Sequence, residues 1–247
     1  ASRVRGRIQA VLDYAIVKKY RPAPNPAIWE GNLSVLLPSK PKSQQNLPAL
    51  ALEDAPRWWR ELKRRDGAGA KALMLLTLTA ARSGEIRGIR WDEITLFAKD
   101  VSSEKRYAGI WTRPAERMKA KVAHRVPITS AMLDLLPKDN NQTGLIFASK
   151  SGKALSDMTL SALMRRMHQA DETGYVDKTS SRPAVPHGIR STFRDWVAEG
   201  GHSREAAEFQ LAHKFGSEVE HAYYRTDLID ARAELMNKWH AFLEGGT

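Results

Sequence analysis

Ala72-Leu73-Met74-Leu75-Leu76-Thr77-Leu78-Thr79-Ala80-Ala81-Arg82-Ser83-Gly84-Glu85-Ile86 is an apolar run that stops on a cation. Its length and composition predict a buried helix ending at Arg82 and restarting after Gly84. Core packing positions an arginine at such a break, whereas most arginines are solvated surface charges. Working outward, helices are expected over residues 56–65, 158–170, 189–199, 203–212 and 227–243, with Gly200-Gly201 stopping the third of these. Residues 106–112 and 124–128 read as two short strands joined by a basic turn. The expected fold class is therefore α+β, predominantly helical, with a small antiparallel β-sheet.

Three further strings follow in order: Pro186-His187-Gly188-Ile189-Arg190-Ser191-Thr192-Phe193-Arg194-Asp195-Trp196, then Leu211-Ala212-His213-Lys214, then Ala222-Tyr223-Tyr224-Arg225. These residue types suit metal-free attack on a phosphodiester. The attacked phosphorus passes through a pentacoordinate arrangement whose extra negative charge must be met by fixed donors, and the planar fork of Arg82 or Arg190 meets it with two parallel hydrogen bonds. A tyrosine nucleophile must lose a proton, which a neutral histidine can take, and the departing oxygen needs a proton that a lysine can supply. The seven histidines show no zinc-like clustering, and His221 near Tyr223 is read as a chance neighbour.

Thr79-Ala80-Ala81-Arg82-Ser83-Gly84-Glu85-Ile86-Arg87-Gly88 with Trp91 resembles the first-arginine box of the tyrosine recombinase (phage integrase) family. The string at 186–196 resembles its His-x-x-Arg box, and the two later strings resemble the Leu-Gly-His and nucleophile segments, with Ala212 in place of the usual glycine. Arg190 and His213 are 23 positions apart, His213 and Tyr223 are 10 apart, and the resemblance runs over roughly the whole chain. It is closest to integrases of temperate and satellite phages and of genomic islands.

The resemblance implies a catalytic set of Arg82, Lys119, His187, Arg190, His213 and Tyr223, with Glu85 supporting the arginines and His187. In the family resembled, the catalytic lysine lies on the two-stranded hairpin eight residues before a proline of the second strand, so counting back from Pro127 gives Lys119, and Lys121 in the same basic turn is its rival. Tyr223 and Tyr224 point about 100° apart on a helix, so only one faces a phosphate; the family's Ala-Tyr-x-Arg pattern selects Tyr223. The implied activity is site-specific recombination of double-stranded DNA through a 3′-phosphotyrosyl link, without cofactor or metal, by a homo-tetramer on synapsed DNA that is compatible with a monomer in solution. Two alternatives stand beside it. One is a type IB topoisomerase, which reseals its own strand; the other is a catalytically silent DNA-binding protein on the same fold.

A net charge of +11 agrees with a polyanionic partner. Residues 1–42 hold eight Lys or Arg against Asp13 and Glu30. Between residues 2 and 20, Val4, Ile8, Val11, Leu12 and Ala15 recur at helical spacing. That pattern predicts one packed face and one basic face able to follow a phosphate backbone, with Arg3, Arg5, Arg7, Lys18 and Lys19 as DNA-binding candidates; a plain amphipathic helix is the other reading. The Pro-broken, Lys/Ser/Gln-rich stretch after it places a boundary near residues 40–50. Residues 1–45 are expected to be the C-terminal part of a helical core-binding domain plus linker, and residues 46–247 a catalytic domain. Ala1 is not an initiator methionine, and the chain is read as a fragment lacking an arm-binding domain and most of the core-binding one.

No cysteine is present, which excludes disulfide frameworks and thiolate metal sites. No run approaches the about 20 apolar residues of a membrane span, and no Gly-x-x-x-x-Gly-Lys loop indicates nucleotide use. The expected location is the bacterial cytoplasm, on DNA. The C-terminal apolar stripe Leu228, Leu235, Met236, Trp239, Phe242 and Leu243 has two readings: packing on a neighbouring protomer, or on its own domain.

Overall fold

The computed structural model describes residues 2–37, 46–98, 106–118, 121–138, 143–213 and 226–246. The chain forms two compact units, Ala1–Asn46 and Leu47–Thr247. In the first, α1 (Ser2–Val17) forms where the spacing predicts it, but its apolar face packs only in part: Leu12 and Ala15 are half-buried, none of its residues is buried, and Val4 and Val11 remain 60% and 66% exposed. So short a unit cannot enclose a core. What orders it is polar. Buried Asn25 donates through Nδ2 to the Gln9 carbonyl (2.9 Å) and to Asp13 Oδ1 (2.6 Å), while its Oδ1 accepts the Ala27 N–H (2.9 Å). Arg5 donates to Gln9 Oε1 (2.7 Å) and the Ala27 carbonyl (2.8 Å), so it is tied into its own unit, whereas Arg3, Arg7, Lys18 and Lys19 are exposed.

In the second unit, α2 (Ala55–Lys63) packs Trp58, Trp59 and Leu62 into the same core as α3 (Ala68–Thr79). Residues 72–79 of α3 are all buried, as an apolar run requires. The two threonines inside it return their hydroxyls to the preceding turn, Thr77 to the Leu73 carbonyl (2.9 Å) and Thr79 to the Leu75 carbonyl (2.6 Å). The break comes earlier than predicted. α3 stops at Thr79, Ala80 turns left-handed (φ 50°), Arg82 is extended, and α4 (Ser83–Arg87) restarts immediately after it. The reason is a cap: the Glu85 carboxylate accepts the Arg82 backbone N–H (2.8 Å), which an Arg82 inside a helix would have given to a carbonyl.

β1 (Ile94–Leu96), β2 (Gly109–Arg113) and β3 (His124–Ile128) form an antiparallel sheet in that order, with Trp111 opposite both Ile94 and Val126. The hairpin was anticipated, with its first strand beginning at 109 rather than 106. β1 was not, since three residues carry no readable alternation. A short α5 (Ser130–Leu133) precedes α6 (Asp157–Ala170), α7 (Ile189–Glu199), α8 (Arg204–Gln210) and α9 (Ile229–Leu243), which lie within the expected helical spans or one residue beyond them. No helix among the described residues is long and apolar enough to cross a membrane.

α9 settles where its own stripe goes. Leu235, Met236, Trp239 and Leu243 are buried in the core of this unit, Trp239 Nε1 donates to the Thr77 carbonyl (2.8 Å), and its ring lies 5.6 Å from Phe193 and 5.2 Å from Trp196. Four of the six stripe residues pack on their own domain, with Leu228 and Phe242 half-buried, which weighs against the reading that the stripe packs on a neighbouring protomer.

The segment 48–50 fastens α7 from outside. Gly188 approaches Pro48 so closely that a Cβ there would lie 1.8 Å from the Pro48 carbonyl oxygen. The Thr192 hydroxyl donates to the Leu50 carbonyl (2.8 Å) and accepts the Leu50 N–H (3.0 Å). Thr192→Val preserves shape but orphans that buried N–H; urea unfolding should show a loss of about 1–3 kcal/mol with an unchanged m-value.

Candidate active site

The turn between α3 and α4 gathers charge because Glu85 gathers arginines. Its Oε1 accepts Arg82 Nη1 at 3.0 Å, and its Oε2 accepts the Arg82 N–H and pairs with Arg113 from β2. Burial alone would raise the Glu85 pKa, but the Arg113 charge and the Arg82 donors outweigh it and hold the carboxyl below its ordinary value. Arg113 is buried, 4.9 Å from the centre of the Trp111 ring, and burial pushes its pKa down to about 10, so it stays charged at neutral pH. Arg117 pairs with Glu93 and donates to the Glu85 carbonyl (3.2 Å). Between them Arg82, Gly84, Glu85, Arg113 and Arg117 line a cleft of about 290 Å³.

α7 supplies the second arginine. Arg190 is 4% exposed; its Nη1 donates to the Ala80 carbonyl (2.5 Å), and its Nη2 to the Leu211 carbonyl (2.8 Å) and His213 Nε2 (2.9 Å). One side chain thus holds the carbonyl left by the α3 turn and the carbonyl just beyond α8. Burial, followed by the Arg82 charge, lowers its pKa to about 10, which leaves it cationic at neutral pH.

Arginine only donates, so His213 Nε2 must be the acceptor; the ring proton then sits on Nδ1 and is donated to Glu208 Oε2 at 2.7 Å. The other Glu208 oxygen accepts Arg194 Nη2 at 2.9 Å. Burial lowers the His213 pKa and Glu208 opposes the shift. His187, at the exposed entrance to α7, has its pKa lowered by desolvation and then by Arg190, Arg82 and His213. It is therefore a neutral base at pH 7. The arrangement is a cationic, largely preorganised surface with a proton acceptor at its edge, which is what an anionic, associative centre at phosphorus needs.

Arg82, Glu85, His187, Arg190 and His213 are thus brought into one electrostatic neighbourhood. Lys119 and Tyr223, with Tyr224 and His221, lie outside the described residues. Lys121, the rival lysine, is exposed with φ 55°. Four polar residues around the site were not singled out from the sequence: Arg113, Glu208, Gln210 and Arg232. Strand alternation from Trp111 would have turned Arg113 inward. The others sit on helices where polar side chains normally face solvent, and nothing in their spacing signals burial.

Glu85 carries a large consequence. Glu85→Ala leaves Arg113, whose side chain is 2% exposed, as a buried cation without its counter-ion. The expected loss is about 3–5 kcal/mol in urea unfolding, with part of it recovered in Glu85→Ala/Arg113→Met.

The Phage integrase family model matches residues 54–228. Among curated proteins, the chain is similar to the integrase of Enterobacteria phage P4, 29% identical over 99% of this chain and 55% of that protein, and to the integrase of Shigella phage Sf6, 28% identical over 99% and 58%. The chain therefore spans little more than half the length of these relatives. Among solved structures, a lambda integrase dimer bound to a COC′ core site superimposes with a TM-score of 0.57 at 18% identity, covering 91% of this chain and 58% of that one. At that identity the likeness is one of fold.

Proposed function

The chain belongs to the phage integrase family, and from that premise we propose that it is the catalytic part of a site-specific DNA recombinase. The observation that carries this reading is the convergence of Arg82, Arg190 and His213 around the α3–α4 turn, with Glu85 and Glu208 fixing the guanidinium and ring orientations and His187 within reach of their charges.

In the proposed reaction Tyr223 Oη attacks the scissile phosphorus while its proton passes to His187. Arg82 and Arg190 hold the non-bridging oxygens; once the anionic phosphate displaces His213 from Arg190, His213 takes up a solvent proton on Nε2, keeping Nδ1–H on Glu208, and donates it to one of them. The bond from phosphorus to the 5′ oxygen breaks, and Lys119 protonates that oxygen. Phosphotyrosine conserves the bond energy, so attack by a partner strand's 5′ hydroxyl reverses the step and exchanges strands without a cofactor. The working assembly is a homo-tetramer on two synapsed duplexes in the bacterial cytoplasm. Residues 1–45 serve as part of a core-binding domain, with Arg3, Arg7, Lys18 and Lys19 toward the backbone phosphates and Arg5 mainly ordering that segment.

The test is covalent trapping on nicked duplexes from the junctions of the mobile element, with EDTA present, read on a denaturing gel. A protein–DNA adduct, and exchange between two sites in a two-duplex assay, are expected. DNA binding without an adduct would leave a binding protein, and relaxation without exchange would leave a topoisomerase.

A further inference from the structure

Arg232, on the first turn of α9, is completely buried, yet among the described residues no carboxylate pairs directly with its guanidinium, the Asp227 charge acting on it only from a distance. Its partners are almost all neutral oxygens. Nε and Nη2 both donate to Gln210 Oε1, at 3.1 and 3.0 Å; Nη1 donates to the Asp227 carbonyl (3.2 Å), and Nη2 also to the Arg125 carbonyl. Nη2 further approaches His124 Nε2 at 3.3 Å, and because arginine only donates, this ring nitrogen is the acceptor. Burial, then the charges of Arg113 and Arg232, lower the His124 pKa to about 2, so the ring is neutral and does not oppose the contact by repulsion.

Burying a cation is costly, and here the cost is offset by hydrogen bonds that tie separate segments together. What it fixes is visible in the chain order. Gln210 ends α8 and Asp227 precedes α9, so one guanidinium joins the two ends of the stretch 214–225, which itself lies outside the described residues. Gln210 does not stop there: its Nε2 donates to the Thr79 carbonyl (2.8 Å), the last residue of α3 before the Arg82 turn. A continuous set of side-chain hydrogen bonds therefore runs from the base of the arginine turn through Gln210 and Arg232 to the exit of the tyrosine-bearing stretch.

We propose that Arg232 and Gln210 form a clasp that positions the nucleophile segment relative to the Arg82–Arg190 clamp. This rests on the assignment of Tyr223 as nucleophile given above. Arg232 is a positioning residue: it touches no phosphate and acts through the ends of residues 214–225. Because it also holds β3 through Arg125 and His124, a rival route runs through the hairpin that carries Lys119, and the experiment separates the two.

Single-turnover adduct formation is measured on the nicked duplex across DNA concentrations for the unaltered chain and Arg232→Lys, which keeps the charge but cannot span Gln210, Asp227 and Arg125 together. The expected result is a rate at saturating DNA lowered about 10–100-fold, a half-saturating DNA concentration unchanged, and a single cooperative melting transition. A duplex with sulfur in place of the 5′ leaving oxygen needs no proton from an acid; the defect should persist on it. Recovery on the sulfur substrate would move the effect to Lys119 and overturn the clasp, as would an unchanged rate in folded Arg232→Lys. Should Arg232→Lys fail to fold, Gln210→Ala removes the side-chain partner and leaves the carbonyl bonds, and the same comparisons decide. No Tyr223-dependent adduct from the unaltered chain would overturn the recombinase reading itself, whereas a normal adduct there with an equally fast variant overturns only the clasp.

Discussion

Tyr223→Phe should yield no covalent adduct on nicked duplexes while leaving DNA affinity within about twofold. Phenylalanine keeps the ring and deletes only the Oη that the proposed reaction joins to phosphorus, so adduct formation should fall by roughly four orders of magnitude or more. On the proposed reading, affinity survives because a protein of net charge +11 would bind DNA through many phosphate contacts, and one neutral hydroxyl contributes little to counterion release. Tyr224→Phe is the necessary companion. The two tyrosines are adjacent, and both lie outside the described residues, so chemistry must decide between them. An adduct lost with Tyr223→Phe and kept with Tyr224→Phe fixes the nucleophile; the reverse pattern transfers the role to Tyr224. Parallel gel-shift titrations guard against a variant that has simply stopped binding.

How much of this was legible in the sequence depends on which physical signal each residue carries. The helix over 72–79 and the hairpin strand over 124–128 were readable because an apolar run and a short β-branched alternation report burial directly. Family strings pointed to Arg82, His187, Arg190 and His213; the structure hydrogen-bonds Arg190 to His213 and to the Ala80 turn beside Arg82, and His187 feels the charges of both arginines. The exact turn was missed because Ala80 takes a left-handed conformation usually left to glycine, and the cap that compensates depends on Glu85 reaching back three residues. Arg232, Gln210 and Glu208 stayed invisible for a different reason. Their burial is a property of what surrounds them in space, and partners 131 and 107 residues away, Thr79 for Gln210 and Arg125 for Arg232, leave no local trace. The amphipathic pattern of α1 shows the opposite failure: a correct periodicity predicted a packed face, and no buried residue exists on it, because pattern reports what a helix could bury and not what is present to cover it.

Arg190→Lys should lower the rate of adduct formation by about 10³-fold in a protein that still folds and binds DNA. The size of the effect follows from how the guanidinium is held. Three of its five N–H groups are committed, to the Ala80 and Leu211 carbonyls and to His213, which fixes the plane of the fork before any DNA arrives. Preorganised donors stabilise charge in the transition state without reorganising at that moment, and a lysine ammonium in the same cavity can replace neither the two-pronged contact nor the restraint. Arg82 offers an internal comparison. Its side chain is 32% exposed and restrained chiefly by Glu85, so it starts less fixed, and Arg82→Lys should cost less than Arg190→Lys. Arg190→Ala is the harsher change, because it also orphans the Ala80 and Leu211 carbonyls at about 1–3 kcal/mol for each buried group left without a partner. Single-turnover rates on the nicked duplex, read beside urea unfolding of the same variants, separate the two effects. A folded Arg190→Lys that cleaves within tenfold of the unaltered chain would mean that Arg190 is a structural cross-brace between α3 and α8 and that the phosphate is held elsewhere. A large loss in rate with little loss in stability means that the same hydrogen bonds which brace the fold also aim the clamp.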